Sequence, residues 1–226
     1  MFDSIAGRYD LNNRLHSLGR DQAWRRRTAK AAVRSRDDRV LDVACGTGDL
    51  SEALADQRPA SVHGVDFSGG MLDVARGKAA RRTRRDGVPT PSYEQGDAMQ
   101  LSLDDATFDA CTIAFGIRNV TDPLVAISEF HRVLVPGGQC LILEFSEPSN
   151  PIIRSFSNLY NRRIMPVTAT LIAGDRSGAY KYLPRSMETF LTPNQLAEHM
   201  ERVGFLEITT RPMTGGICTL TIGRKA

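Results

Sequence analysis

The chain is poor in the features that would classify it at once. Only four of its 226 residues are cysteines, at 45, 111, 140 and 218, and none stands in a C-x-x-C pair. Cys45, Cys111 and Cys140 lie inside apolar runs, where cysteine serves as a small hydrophobe. A disulfide framework or a zinc site is therefore not expected. No uncharged apolar stretch is long enough to span a bilayer, and the opening MFDSIAGRYD is not a targeting sequence. These absences together favour a reducing, cytoplasmic setting. Charge of one sign is also nearly lacking in excess. Lys and Arg number 29 against 26 Asp and Glu, a net +3, which excludes a dedicated nucleic-acid binder. Internal repeats and low-complexity linkers are absent, so one domain is the natural expectation.

What is present alternates. RVLDVA (39–44), ASVHGVD (60–66), a short segment within TPSYEQGDA (90–98), TFDACTIAFG (107–116) and QCLILEFS (139–146) read as strands. DLSEALADQ (49–57), SGGMLDVARGKAARRTRR (68–85) and DPLVAISEFHRVLVPGG (122–138) read as helices, the last begun by Pro123 and stopped by Pro-Gly-Gly. Near-continuous apolar strands joined by helices predict a parallel sheet covered on both faces, a doubly wound Rossmann-like α/β fold. TPNQLAEHMERVGF (192–205) adds a helix with Thr192 as its N-cap. LEITTRP and GICTLTIGRK, joined by MTGG, predict an antiparallel C-terminal hairpin.

In a doubly wound sheet, ligands sit beyond the carboxyl ends of the strands. The most telling of these ends is VLDVACGTGDL (40–50), an apolar run that stops at two glycines. As a dinucleotide fingerprint, G-x-G-x-x-G, it is incomplete: Gly46 and Gly48 fit, but Ser51 stands where the third glycine belongs. Asp66, at the end of the second strand, could accept from a ribose diol of any adenosine-bearing ligand, so the acid alone does not separate NAD from the others.

The pattern actually present, D-x-A-x-G-x-G from Asp42 to Gly48, resembles the first motif of class I S-adenosylmethionine-dependent methyltransferases. The later GDA (96–98), FD (108–109) and LVPGG (134–138) follow in the order of that fold. YDLNNRLHSLGRDQAWRR (9–26), FGIRNVTD (115–122), LEFSEPSNP (143–151) and AYKYLPRSMETF (179–190) narrow the resemblance to the menaquinone and ubiquinone biosynthesis C-methyltransferases, over essentially the whole chain. It implies S-adenosyl-L-methionine as cofactor, held by Asp42, Gly46, Thr47, Gly48, Asp66, Asp97 and Ala98, with backbone amides at the helix start suited to its carboxylate. Asp97 would accept from the adenine amino group. A serine that some members place before FG is Ala114 here, so that contact falls to backbone. The segment before Phe2 is short against the family pattern, implying a truncated or differently started lid.

The resemblance further implies ring methylation of a polyprenylated quinol, with demethylmenaquinol as the acceptor or, as the alternative, 2-polyprenyl-6-methoxy-1,4-benzoquinol. A homodimer is implied as well. No metal is required, because the leaving group is already activated. Arg118 and Asn119, after the fourth strand, face the expected methyl position. Arg118 would stabilise the developing quinolate or orient a water, since arginine keeps its own proton; the competing reading is a structural ion pair with Asp122 or Glu144. Tyr9, Asp10 and Asn13 fall in a lid helix, Asp10 being a candidate base or ammonium contact.

By segment, 1–35 is expected to form lid helices, 36–150 the cofactor core, 151–190 an acceptor-side insertion and 191–226 the terminal helix and hairpin. Ile152, Ile153, Phe156, Leu159, Tyr160, Ile164 and Met165 have helical spacing; such a stripe lines a tail channel or, more commonly, packs in a core. The basic clusters Arg25–Arg27 and Arg81, Arg82, Arg84, Arg85 are solvated helix faces or a patch for anionic lipid, which would place the protein peripherally on the inner face of a membrane. His16, His63, His131 and His199 carry no motif.

Overall fold

Seven strands form one sheet in the order β3-β2-β1-β4-β5-β7-β6. In this computed structural model they are β1 Arg39–Val43, β2 Ser61–Asp66, β3 Ser92–Gln95, β4 Phe108–Ala114, β5 Leu134–Phe145, β6 Phe205–Met213 and β7 Cys218–Lys225. The helices are α1 Arg20–Ala32, α2 Asp49–Ala55, α3 Gly69–Arg81, α4 Pro123–Val133, α5 Pro151–Leu159 and α6 Pro193–Val203. The structure describes residues 14, 17, 19–82, 87–160, 186 and 190–226. Tyr9, Asp10, Asn13, His16, Arg84, Arg85, Ile164, Met165 and most of the 179–190 segment lie outside these.

Strands β3, β2, β1, β4 and β5 run parallel, as the apolar strand pattern predicts. Their side chains alternate between two cores. Val40, Ala110, Leu141 and Leu143 face one; Leu41, Cys111, Ile113, Cys140 and Ile142 face the other. Trp24, Ala29 and Ala32 of α1 and Leu50 and Leu54 of α2 fill the first. Phe130 of α4 and Leu196 and Met200 of α6 fill the second. With both faces occupied, neither needs a polar row, hence the unbroken apolar strands. All four cysteines are buried and unpaired.

The C-terminal hairpin forms as expected: β6 and β7 are antiparallel, Thr210 opposite Thr221 and Met213 opposite Cys218. Its placement is not legible in sequence. β7 inserts antiparallel beside β5, with Leu143 opposite Leu220, and β6 becomes the edge. Thr192 and Gln195 close a capping box on α6, with Pro193 in its first turn.

Two expectations are corrected here. Pro136-Gly137-Gly138 does not stop α4, which ends at Val133. Strand β5 begins at Leu134 and carries Pro-Gly-Gly as a bulge: between the pairs Phe108–Leu134 and Ala110–Gln139, β4 advances two residues and β5 five. Arg20–Ala32, grouped with a lid, is instead a core helix. Trp24 is buried against Phe115 and Phe145, and its indole N–H donates to Thr214 Oγ1 at 3.0 Å.

Two arginines of the basic clusters are paired internally, and Arg81 is exposed. Arg25 is buried, paired with Asp21 at 2.8 Å and seated 5.2 Å from the Phe115 ring centroid. Arg82 pairs with Asp56, while Arg26 and Arg27 remain exposed. No helix among the described residues is long and apolar enough to cross a membrane.

Candidate active site

The carboxyl ends of β1, β2 and β4, with the turn after β3, enclose a cavity of about 390 Å³, within the range of small-molecule sites. Gly46 reaches its wall from the β1–α2 turn, Asp66 and Phe67 from the end of β2, and Gly96 to Met99 from the turn after β3. Ala114, Phe115, Gly116, Asn119, Val120 and Thr121 close the side nearest β4.

The glycines of the β1–α2 turn do two different jobs. Gly46 has φ +56°, and a Cβ added there would meet nothing within 4 Å. Its surroundings are open toward the cavity, so the bare backbone is what a ligand meets. Gly48 has φ +83°, and a Cβ there would lie 2.5 Å from Tyr93 Oη. Tyr93 packs directly under the turn, so Gly48 serves the fold as much as any ligand.

Asp66 fastens this turn. Its Oδ2 accepts from the Gly46 N–H at 2.7 Å, and its Oδ1 accepts from the Ser68 N–H at 2.8 Å. One carboxylate thereby fixes the glycine turn against the entry of α3. Asp97 and Ala98 both line the cavity, and Asp97 Oδ1 accepts from the Met99 N–H at 2.9 Å. The small Ala98 side chain leaves space beside it.

Asp42 lies elsewhere than on the wall where an ammonium could meet it. It is 1 % exposed; Oδ2 accepts from Ser51 Oγ at 2.6 Å and Oδ1 from Thr112 Oγ1 at 3.1 Å. Ser51, the residue that breaks the dinucleotide fingerprint, is thus a buried donor to the acid beneath the turn. Thr47 is buried as well and does not line the cavity.

Burial raises the Asp42 carboxyl to about 7, against the Ser51 and Thr112 hydrogen bonds, which lower it. The folded chain therefore holds this proton more tightly than an unfolded chain, whose carboxyl titrates near the ordinary value of 3.8. The stabilisation from the bound proton is complete below that value and is lost as pH climbs to about 7. Melting temperature is expected to fall by several degrees between pH 5 and pH 8, and Asp42→Asn is expected to flatten that slope. Calorimetric scans of both proteins over this range check it; equal slopes would assign the effect to other groups.

Arg118 and Asn119 part company. Both belong to the short 3-10 turn Ile117–Asn119 after β4, yet only Asn119 lines the cavity. Arg118 turns inward. Its side chain is 4 % exposed, pairs with Glu144 Oε1 at 2.6 Å and donates to the Phe115 carbonyl at 2.7 Å. Of the two acids named from sequence, the ion pair is to Glu144. Asp122 instead caps α4, accepting from the Leu124 N–H at 2.9 Å. Phe115 holds φ +58°, a conformation unfavourable for an aromatic residue, and Arg118 clamps its carbonyl there.

Sequence reasoning missed Phe67 and Met99. Phe67 is 77 % exposed at the cavity rim. The available signal was its place directly after Asp66 at a strand end, where ligands of such sheets sit. Of the stripe from Ile152 to Met165, Ile153 and Tyr160 are half-buried, and Ile164 and Met165 lie outside the described residues. Ile152, Phe156 and Leu159 of α5 are exposed and add nothing to the core.

A model of the ubiE/COQ5 methyltransferase family matches residues 1–225. The chain is 42% identical over 226 residues to the demethylmenaquinone methyltransferase of Deinococcus radiodurans, spanning all of this chain and 91% of that one. It is 42% identical over 226 residues to the demethylmenaquinone methyltransferase of Thermus thermophilus, spanning all of both. It is likewise 42% identical over 227 residues to the ubiquinone/menaquinone biosynthesis C-methyltransferase UbiE of a Geobacter species, covering 94% of that protein. Among solved structures, a SAM-dependent methyltransferase of Thermotoga maritima, described as a possible histamine N-methyltransferase, superposes with TM-score 0.69 at 19% identity, over 100% of this chain and 98% of that one. The [4+2]-cyclase SpnF superposes with TM-score 0.67 at 20% identity, over 90% of this chain and 81% of that one. Neighbours of such different description bear on the fold alone.

Proposed function

The chain belongs to the ubiE/COQ5 methyltransferase family, and from that premise we propose that it transfers a methyl group from S-adenosyl-L-methionine to a ring carbon of demethylmenaquinol. The observation that carries the cofactor assignment is the cavity itself: a bare glycine wall at Gly46, a carboxylate at Asp66, and the pair Asp97–Ala98, all on strand-end turns. These groups fit an adenosine-bearing ligand with an amino-acid end. Asp66 is suited to ribose hydroxyls, Asp97 to the adenine amino group, Phe67 to the face of a flat ring, and the amides after Gly46 to a carboxylate. Asp42 supports the turn from behind.

When bound, the cofactor supplies a methyl group on an activated sulfonium leaving group. The chain's part is to align, to dry and to handle a proton. Alignment is a proximity effect worth several kcal/mol. The apolar wall of Val43, Val65, Met71 and Val120 excludes water. Asn119 is placed on the wall to orient an acceptor hydroxyl, while Arg118 acts from beneath by holding Phe115 and Glu144. For Tyr9 and Asp10, which lie outside the described residues, an acceptor-side role is proposed from the family resemblance alone. The exposed Ile152, Phe156 and Leu159 suit a prenyl tail or the lipid surface that carries it.

The test is methyl transfer by purified protein from labelled S-adenosyl-L-methionine to reduced demethylmenaquinone and, separately, to the reduced methoxy-benzoquinone precursor. Label is expected in the naphthoquinol. Label in the benzoquinol alone would move the assignment to the ubiquinone branch, and cofactor binding without label in either would sink the quinol reading. Serines at Ile152 and Phe156 are expected to slow turnover of a vesicle-borne long-tailed substrate but not of a short-tailed one; equal slowing of both would remove the tail role.

A further inference from the structure

Beneath the cavity lies a pair of charged side chains that is incompletely used. Arg118 and Glu144 are 4 % and 5 % exposed and bonded to each other through Nη1 and Oε1. Among the described residues, Arg118 Nε and Glu144 Oε2 have no hydrogen-bond partner. Leaving two such atoms bare is costly, and a pair serving only the fold would be expected to bury them satisfied. Glu144 also lines a second, small void of about 10 Å³ with Phe145, Phe190, Leu191, Thr219 and Thr221, about the size of one water. This void belongs to the carboxyl end of the sheet. Glu144 follows Leu143, which is paired with Ala114, and Arg118 bonds to Phe115. Ala114 and Phe115 are themselves walls of the cofactor cavity.

The geometry points to Glu144 as the group that takes the hydroxyl proton of the methyl acceptor, through water in the small void. The inference rests on the quinol reading above. The acceptor O–H bond breaks and its proton passes to Glu144 Oε2, leaving the electron pair on oxygen. That charge reaches the ring carbon, whose electron pair forms the bond to the methyl group as the carbon–sulfur bond breaks, its electrons remaining on sulfur. The hydrogen on the methylated carbon then leaves to water as a proton, and Glu144 returns its own to the oxygen. The surroundings suit a base that must recover its proton. Burial raises the Glu144 carboxyl, and the Arg118 charge opposes this. Among the described residues, Cys218 of β7 is a further titratable group facing it, and Thr219 and Thr221 are neutral.

Full-length protein carrying Glu144→Gln is expected to bind S-adenosyl-L-methionine as before. Its turnover of reduced demethylmenaquinone should fall about 10²- to 10⁴-fold, with loss of the acidic limb of the pH profile. Glu144→Asp should recover part of the rate and keep that limb. A purely structural role would lower melting temperature and leave the pH profile of the folded enzyme intact. Infrared difference spectra give a readout independent of methyl transfer: a carboxyl band absent from Glu144→Gln should shift when the quinol is added. If the wild type methylates neither quinol yet the band shifts, the acceptor reading fails and Glu144 still stands as a ligand. Turnover of Glu144→Gln within threefold of wild type with an unchanged pH profile, or a band that the quinol leaves unmoved, overturns the inference; should the Gln variant not fold, Glu144→Asp and the wild-type spectra decide it.

Discussion

Arg118→Ala is expected to lose about 3–5 kcal/mol of unfolding free energy, because it leaves the Glu144 carboxylate buried without its countercharge. The 4 % exposure of the arginine and its 2.6 Å contact place this pair well outside the surface ion pairs that contribute little. A second consequence is local. Phe115 loses the donor that holds its carbonyl at φ +58°, so the β4 side of the cavity should relax and methyl transfer should fall below detection. Urea titration and turnover separate the two effects in one further variant. Arg118→Met with Glu144→Leu removes both charges and should regain most of the lost stability, without regaining activity. Full turnover in Arg118→Ala would remove arginine from the mechanism. Full turnover in the double variant would remove the pair.

Asp66→Ala is expected to weaken cofactor binding about 10²- to 10³-fold while the chain stays folded. Two charge-assisted hydrogen bonds from the Gly46 and Ser68 amides end on this carboxylate, and such bonds contribute roughly 1.5–3 kcal/mol each. Their loss frees the glycine turn from the entry of α3, in addition to any contact with ribose. Titration calorimetry with S-adenosyl-L-methionine measures the change. A dissociation constant within threefold of wild type would mean that Asp66 does not organise the site. Asp97→Ala, which removes the acceptor for the Met99 amide and the one proposed for the adenine amino group, should show a smaller loss in the same experiment.

The parallel part of the sheet was legible in residues 39–146 because a strand buried on both faces must be apolar on both faces. Val40 and Leu41 point to opposite cores, and neither could be polar. The strand-end chemistry was legible for a related reason: Gly46 and Asp66 each follow an apolar run and Asp97–Ala98 a short strand, and the topology gathers such ends around one cavity. Pro136-Gly137-Gly138 misled because proline and glycine end helices and bulge strands alike, and only the pairing of β4 with β5 distinguishes the two. Side-chain direction was beyond reach. Asp42 and Thr47 belong to the motif but sit behind the wall it builds, and Arg118 and Asn119 are adjacent in sequence yet face opposite ways.

What the sequence determined by itself is therefore what periodicity and backbone chemistry encode: alternating elements, a helix cap at Thr192, a glycine turn after an apolar strand, and a C-terminal hairpin. What only the tertiary structure decided is which atoms meet across distance. Ser51 reaches Asp42, Tyr93 fills the space under Gly48, β7 slots in beside β5, and Glu144 meets Arg118. Those contacts join residues 9 to 85 positions apart, and their geometry is set by how the layers close, which no local pattern records.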